Sequence, residues 1–203
     1  FVAAPASCSR RIPIICSSVN LDRFIVRLLL QGRTLPKNGG VCGAQVTAFR
    51  LLLHAEIEEY LERKAKEYVE RLRNIIKTPL KIREHLHLYA MASLLNHSLP
   101  FESPFNEKRF LDAVKDLLKE ADRHLDNNNG IKASSFIYLS VIAGKSVDDI
   151  DGSLADKLTQ YGRDRGSVAH RSVRRVTTIE TPSTEQRRAR EILEALKLYY
   201  SEP

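Results

Sequence analysis

The sequence predicts an all-α fold, an antiparallel helical bundle of roughly five to six helices. After residue 44, apolar residues recur at three- and four-residue steps, which is the period of an amphipathic helix. The 203 residues include 43% hydrophobic and 28% charged side chains, proportions that allow a buried core and argue against a disordered chain. Nine glycines and eight prolines are too few for the many turns of a β-sandwich.

The first helix is predicted to extend from residue 44 to residue 77. Its apolar side includes Leu53, Ile57 and Leu61, while glutamates and lysines occupy the opposite side. The helix is expected to end at Thr78, because a residue that precedes a proline avoids the helical region of backbone space.

Two further helices are predicted over residues 81–96 and 106–125. The inner side of the first is expected to consist of Ile82, Leu86, Tyr89 and Leu94. The inner side of the second is expected to consist of Phe110, Leu111, Val114, Leu117, Leu118 and Ala121. The segment 127–130, three asparagines and a glycine, is typical of a turn.

The last third of the chain is expected to complete the bundle. Residues 133–143 form either a short buried helix or a strand, because the segment is apolar and partly β-branched. Asp151 or Ser153 is expected to cap the next helix, which leads towards His170. A final helix is expected to start at Thr181, which is followed by a proline suited to the first helical turn.

Two domains are not expected. Residues 1–40 are predicted to be a poorly structured N-terminal extension with a short helix, and residues 41–203 to be the helical domain. The three cysteines have neither zinc-ligand spacing nor the number of a disulfide framework, which predicts reduced thiols in a cytoplasmic protein. The longest apolar run, 25–30, contains Arg27, so no membrane-spanning helix is expected.

Two apparent ligand motifs do not meet the requirements of their chemistry. Gly144-Lys145-Ser146 resembles the end of a phosphate-binding loop, but Leu139 stands where that loop needs a glycine. The aspartates at 148, 149 and 151 lack the alternating spacing and the distal glutamate of a calcium loop. No cofactor or metal is therefore expected.

One stretch, residues 161–172, combines residues suited to phosphodiester chemistry. It places Arg163, Arg165 and His170 within eight residues, beside small side chains. A histidine can transfer protons near neutral pH, and a guanidinium can hold a phosphate and stabilise its developing charge. The formal net charge of +7 also favours an anionic partner. A basic surface loop without a function is the alternative interpretation.

The spacing leaves two candidate arginines. On a continuous helix, Arg163 and His170 lie within about 20° of one another, whereas Arg165 and His170 diverge by about 140°. A helix break at Gly166, with Ser167 capping a new helix, would remove this constraint and keep Arg165 as a second candidate. Both arginines remain candidates at this point.

The sequence from Arg165 to His170 resembles the Arg-x(4–6)-His motif of the HEPN domain superfamily, and the spacing from Arg163 to His170 fits the longer form of the motif. The apolar run 51–61, which carries Glu56, is similar to the first core helix of the HEPN ribonucleases in the RiboL-PSP and related groups. The resemblance extends over about residues 41–200.

The resemblance implies a helical bundle that forms a homodimer and acts as a metal-independent endoribonuclease, without a cofactor. Such proteins are frequently toxins or effectors of prokaryotic toxin–antitoxin and antiviral defence systems, so an antitoxin protein is an expected partner. His170 would be the general acid or base, Arg165 would stabilise the scissile phosphate, and Arg163 would assist. Glu56 would orient a motif arginine; its alternative is a solvent-facing glutamate beside Arg63 or Lys64.

The basic residues that follow the motif are expected to bind RNA without reading its sequence. They are Arg171, Arg174 and Arg175, and further along the chain Arg187, Arg188 and Arg190. Two other functions remain open from the sequence. One is a non-catalytic module that binds RNA or a nucleotide, and the other is a dimeric helical adaptor whose basic face binds an acidic protein.

Overall fold

The computed structural model describes residues 39–77, 82–100, 103–170 and 180–201. Within these ranges, side chains are described for residues 46–77, 84–100, 103–164 and 180–201. Over this part of the chain there are six α-helices and no β-strand. The predicted all-α helical bundle is therefore confirmed.

The six helices, in chain order, are α1 Gly39–Ile75, α2 Ile82–Leu94, α3 Glu107–Asp126, α4 Ala133–Ile142, α5 Gly152–His170 and α6 Pro182–Tyr199. A short 3₁₀ turn, Val147–Asp149, precedes α5. None of the helices in the described part of the chain is long and apolar enough to span a membrane. The extension predicted for residues 1–40 lies outside the described residues, except for Gly39 and Gly40, with which α1 begins.

Helix α1 is the central helix of the bundle, in contact with α3, α4, α5 and α6. Its predicted apolar side is buried: Leu53, Ile57 and Leu61 are at most 1% exposed. The helix starts five residues before the predicted position 44 and ends before the proline at 79, as expected. Because α1 contacts four helices, a charged side chain on its buried face needs a partner from one of them.

The inner side predicted for α2 is wrong at Leu86, while Tyr89 and Leu94 are half-buried and the side chain of Ile82 lies outside the described residues. Leu86 is 67% exposed, whereas Leu88, Met91, Ala92 and Leu95 are buried. The helix carries two apolar stripes side by side, and the sequence does not show which stripe meets a neighbour. The helix contacts α4, and its buried stripe contains Leu88, Met91 and Ala92.

Local polar groups fix the beginning of α3, and the turn between α3 and α4 contains the glycine that was predicted for it. Asn106 caps α3, accepting a hydrogen bond from the amide of Arg109 at 3.0 Å. After α3, Gly130 has φ +112°, a conformation that favours glycine. The ambiguous segment 133–143 is the helix α4, whose buried residues lie all round it, so no amphipathic period marks it in the sequence.

Side-chain caps fix the beginnings of α5 and α6. Asp151, rather than Ser153, caps α5 by accepting from the amide of Leu154 at 3.0 Å. Thr181 caps α6 by accepting from the amide of Thr184 at 3.3 Å, and Pro182 occupies the first helical position. The C-terminal half of α5 and the first two turns of α6 contain the residues of the candidate site.

Candidate active site on helix α5

The motif residues 163–170 lie on an uninterrupted helix. Helix α5 continues through Gly166 to His170, so the break suggested by the sequence at Gly166 is absent. The core side of the helix is formed by Leu154, Leu158 and Tyr161, which are at most 1% exposed. The angle of every later residue around the helix axis is measured from these buried residues, at about 100° per residue.

Positions 163 and 170 share one side of α5. Arg163 is exposed and lies about 160° from the buried Tyr161 around the helix axis. Position 170 is seven residues further along and therefore falls within about 20° of Arg163. The side chain of His170 lies outside the described residues, and its position on the helix is taken from the backbone.

Position 165 falls on the other side of the helix. It is four residues after Tyr161, about 40° from the buried line, and about 140° from position 170. The side chain of Arg165 lies outside the described residues, as do Arg171, Arg174 and Arg175 entirely. The uninterrupted helix thus groups Arg163, and not Arg165, with His170.

A buried ion pair lies beneath the motif end of α5. Arg50 of α1 donates to Glu185 of α6 through Nε at 2.9 Å and through Nη2 at 2.6 Å. The two side chains are 6% and 1% exposed. This two-pronged geometry is the one a guanidinium and a carboxylate prefer, and its hydrogen bonds raise the pKa of Arg50 despite burial. Arg50 is therefore charged inside the bundle, where it is bound to the side chain of Glu185.

Tyr161 connects α5 to this ion pair. Burial, and next the negative charge of Glu185, raise the pKa of Tyr161 well above its usual range, so its hydroxyl stays protonated. The hydroxyl is close to the Glu185 carboxylate, but it does not form a well-aligned hydrogen bond in this conformation. The residue that begins the motif segment is thus in the electrostatic field of the pair.

A second, half-buried ion pair joins α5 to α6. Arg188 donates through Nη2 to Oδ2 of Asp164 at 2.8 Å, and its guanidinium lies 6.0 Å from the ring centroid of Tyr161. Gln160, one turn earlier on α5, donates to Oδ1 of the same aspartate at 3.0 Å. Asp164 is the neighbour of Arg163 in sequence, and its carboxylate is held by the α6 arginine.

His54 of α1 is buried against the same helix. It is 3% exposed, and its Nδ1 lies 3.7 Å from Oε2 of Glu58. A methyl group placed on Gly162 would lie 3.7 Å from its Nε2, so the two helices meet at this histidine. Glu58 in turn accepts hydrogen bonds from the amide of Gly130 and the side chain of Asn128.

Glu56 lies away from α5. It is about 160° from His54 around the α1 axis, and His54 marks the side that meets α5. Burial, and next the charge of Glu59, raise the pKa of Glu56, while Arg63 lowers it. Both of these charges belong to α1 itself. Within the described residues, the structure does not bring Glu56 to Arg163.

The described side chains do not assemble a metal site: no group of three or more His, Cys, Asp or Glu residues among them could hold a metal ion. Comparison with known proteins found no matching family model, no matching curated protein and no matching solved structure.

Neither Arg50 nor Glu185 is predicted from the sequence as part of the site, and Arg188 is predicted only as one of the basic residues that follow the motif. Arg50 carried a usable signal, since it interrupts the apolar run from Phe49 to Leu53, and a charge in such a run implies a buried partner. Glu185 lacked one, because a glutamate in the first turn of a helix is ordinarily explained by capping.

Proposed function

We propose that this chain is a cytoplasmic, metal-independent endoribonuclease of the HEPN type, the toxin or effector of a prokaryotic toxin–antitoxin or antiviral defence system. The observation that carries the proposal is the shared side of α5, on which the exposed Arg163 and position 170 lie two helical turns apart and within about 20° of one another. The resemblance of the motif supports the choice of RNA and of a homodimer in which two such helices meet.

The proposed reaction is an attack of the ribose 2′-oxygen on the adjacent phosphorus. His170 removes the 2′-hydroxyl proton, the bond from phosphorus to the 5′-oxygen breaks, and that oxygen takes up a proton. The products are a 2′,3′-cyclic phosphate and a free 5′-hydroxyl. Arg163 binds the phosphate and stabilises the negative charge that grows on its oxygens. The proposal thus gives Arg163 the leading role that the sequence analysis assigned to Arg165.

The deciding experiment is cleavage of mixed cellular RNA in the presence of EDTA, with mapping of the product ends. We expect the wild type to leave 2′,3′-cyclic phosphate ends and His170→Ala to be inactive. Arg163→Ala should lose about a hundredfold or more in rate, as for loss of a transition-state charge partner, and Arg165→Ala should lose less.

Three outcomes contradict parts of this assignment. Cleavage that persists in His170→Ala overturns the mechanism. A larger loss in Arg165→Ala than in Arg163→Ala overturns the choice of arginine. RNA binding without cleavage by the wild type supports the non-catalytic RNA-binding module, and absence of both supports the adaptor that binds an acidic protein.

A further inference from the structure

The buried pair of Arg50 and Glu185 is poorly explained by stability alone. Bringing two charges into an apolar interior carries a large desolvation cost, and replacing such a pair by apolar residues of similar volume is often neutral or stabilising. The side chains at neighbouring positions, such as Phe49, Leu53 and Ala189, are apolar and buried. Apolar residues of similar volume at these two positions would often give a core of equal or greater stability. The pair therefore has another role to fill.

Its place in the bundle indicates what that role is. Arg50 lies on the central helix α1, Glu185 lies in the first turn of α6, and Tyr161 of α5 is next to both charges. Asp164 and Arg188 join α5 to α6 one turn further along, whereas the pair of Arg50 and Glu185 joins α1 to α6. Because the buried pair holds α6 against α1, the bond from Arg188 of α6 to Asp164 restrains both the rotation of α5 about its axis and its sliding along that axis.

We infer that Arg50, Glu185 and Tyr161 are positioning residues, which fix the rotation of α5 so that Arg163 and His170 face the scissile phosphate together. This inference rests on the proposed ribonuclease function. Hydrogen bonds suit the task better than apolar contacts do, because a two-pronged arginine–carboxylate pair has one geometry whereas apolar surfaces pack in several. A rotation of α5 would move both motif positions at once.

The second ion pair has a related effect on the charge of the motif. Asp164 stands directly beside Arg163 in sequence, and a carboxylate there would compete with a phosphate for the arginine. Arg188 and Gln160 hold that carboxylate on the α6 side. The positive charge of Arg163 therefore remains directed to the solvent side, where RNA binds in the proposed reaction.

The test replaces the buried pair as a unit, with the full chain and a defined single-stranded RNA. Arg50→Met combined with Glu185→Leu removes both charges and leaves none unpaired. We expect a urea midpoint close to that of the wild type, a kcat about ten- to a hundredfold lower, and a KM that changes little. Hydrogen exchange at the amides of residues 161–170 should become faster than in the wild type.

A matched control removes another ion pair of α1. Arg73 of α1 pairs with Asp122 of α3, remote from the motif in sequence, and both side chains are 37% exposed. Arg73→Met combined with Asp122→Leu should leave kcat and the exchange of the α5 amides unchanged. A drop in kcat for this control equal to that of the buried pair would overturn the inference, because any inter-helix pair would then have the same effect.

A second variant covers the outcome in which the double variant does not fold. Tyr161→Phe removes only the buried hydroxyl and keeps the ring that Arg188 faces. We expect this variant to fold as the wild type does, with a lower kcat and an unchanged KM. Wild-type kcat in a folded Tyr161→Phe, or in a folded double variant, overturns the inference and leaves the proposed function intact.

Failure of the proposed function gives a different result. The wild type would then cleave no RNA, and kcat could not be compared between the variants. Hydrogen exchange would still decide the positioning role: unchanged exchange of residues 161–170 in the folded double variant overturns it, and faster exchange there supports it.

Discussion

At the scale of single residues, the energetics of the site are dominated by charges inside the bundle. Glu185 is 1% exposed and holds the guanidinium of Arg50 through both of its oxygens. Each partner makes the other's burial tolerable. Removing one leaves a charge that neither water nor another side chain can satisfy, and this cost is larger than the net contribution of the pair itself.

We therefore expect Glu185→Ala to lower the free energy of unfolding by about 3–5 kcal/mol. Urea unfolding of the full chain measures the change. Glu194→Ala, on the exposed side of the same helix, is the matched control and should change stability by about 0.5 kcal/mol or less. A loss below about 1 kcal/mol for Glu185→Ala would show that Arg50 finds water or a new partner.

Glu56 offers a prediction in which pH separates two roles. Its pKa is raised in the folded chain, so folding favours its protonated form. The corresponding contribution to stability is complete below the ordinary pKa of a glutamate and is lost as the pH rises through the higher folded pKa. The stability of Glu56→Gln, which does not titrate, should thus equal that of the wild type near pH 3 and slightly exceed it near pH 7.

Thermal unfolding at the two pH values measures this difference, with Glu191→Gln as the control for the loss of an exposed carboxylate. Cleavage by Glu56→Gln should equal cleavage by the wild type, because Glu56 lies away from the side of α1 that meets α5. A selective drop in kcat would instead support the orienting role that the family resemblance implies.

At the scale of elements, two glycines of the helical bundle differ in whether their position could hold an alanine. Gly162 lies inside α5 with an ordinary helical backbone, and a methyl group there would sit 3.7 Å from His54 and Ile131, a normal contact distance. Gly144 follows α4 with φ +89°, and a methyl group there would overlap the ring of Tyr68. Only the second position requires glycine.

Gly162→Ala should accordingly raise the free energy of unfolding by about 0.5–1 kcal/mol, the usual gain from alanine in a helix interior. Gly144→Ala should lower it by about 1–3 kcal/mol, from the left-handed backbone together with the overlap. Thermal unfolding measures both. If Gly162→Ala is destabilising, α5 does not pack against His54 as described; if it is stabilising but inactive, the motif helix needs mobility at this point.

The elements also show how far the sequence determines the fold. Helix ends were predictable because caps and prolines act locally, as Asn106, Thr181 and Pro79 illustrate. The side that α2 buries was not, since two apolar stripes compete and only the neighbour decides between them. The helix α4 was ambiguous for a related reason, because a helix buried on all sides has no amphipathic period.

The candidate site was likewise predictable where it depends on local spacing and not where it depends on the packing of the helices. The motif positions of α5 follow from spacing, and the choice between the two arginines follows once the helix is known to continue through Gly166. The pairing of Arg50 with Glu185 was beyond the sequence, because 135 residues separate the two and no local rule connects them. Contacts of that range depend on how the helices pack.

At the scale of the whole molecule, the positive charge of +7 is not evenly available to a partner. On α3, the cations Lys115, Lys119 and Arg123 each face a carboxylate of the same helix, at 2.7–2.8 Å. Such pairs largely cancel the local field. Arg163 differs, because the carboxylate beside it in sequence is bound by Arg188.

This difference predicts how RNA binding depends on salt. Each phosphate neutralised by a protein cation releases condensed counterions, so the logarithm of the binding constant falls with the logarithm of the salt concentration, by about 0.7 per contact for a single strand. Arg163→Ala removes one proposed phosphate contact. It should make that slope shallower by about 0.7 and weaken binding across all RNA sequences alike.

Fluorescence anisotropy of a labelled single-stranded RNA over a range of salt concentrations measures the slope, with a cleavage-inactive His170→Ala background used for all variants. Lys115→Ala is the control: it removes the same formal charge from the chain, but from a residue already paired with Asp112. Net charge alone would give the two variants equal slopes. A shallower slope for Arg163→Ala only would show that RNA contacts α5, and equal slopes would place the RNA elsewhere on the molecule.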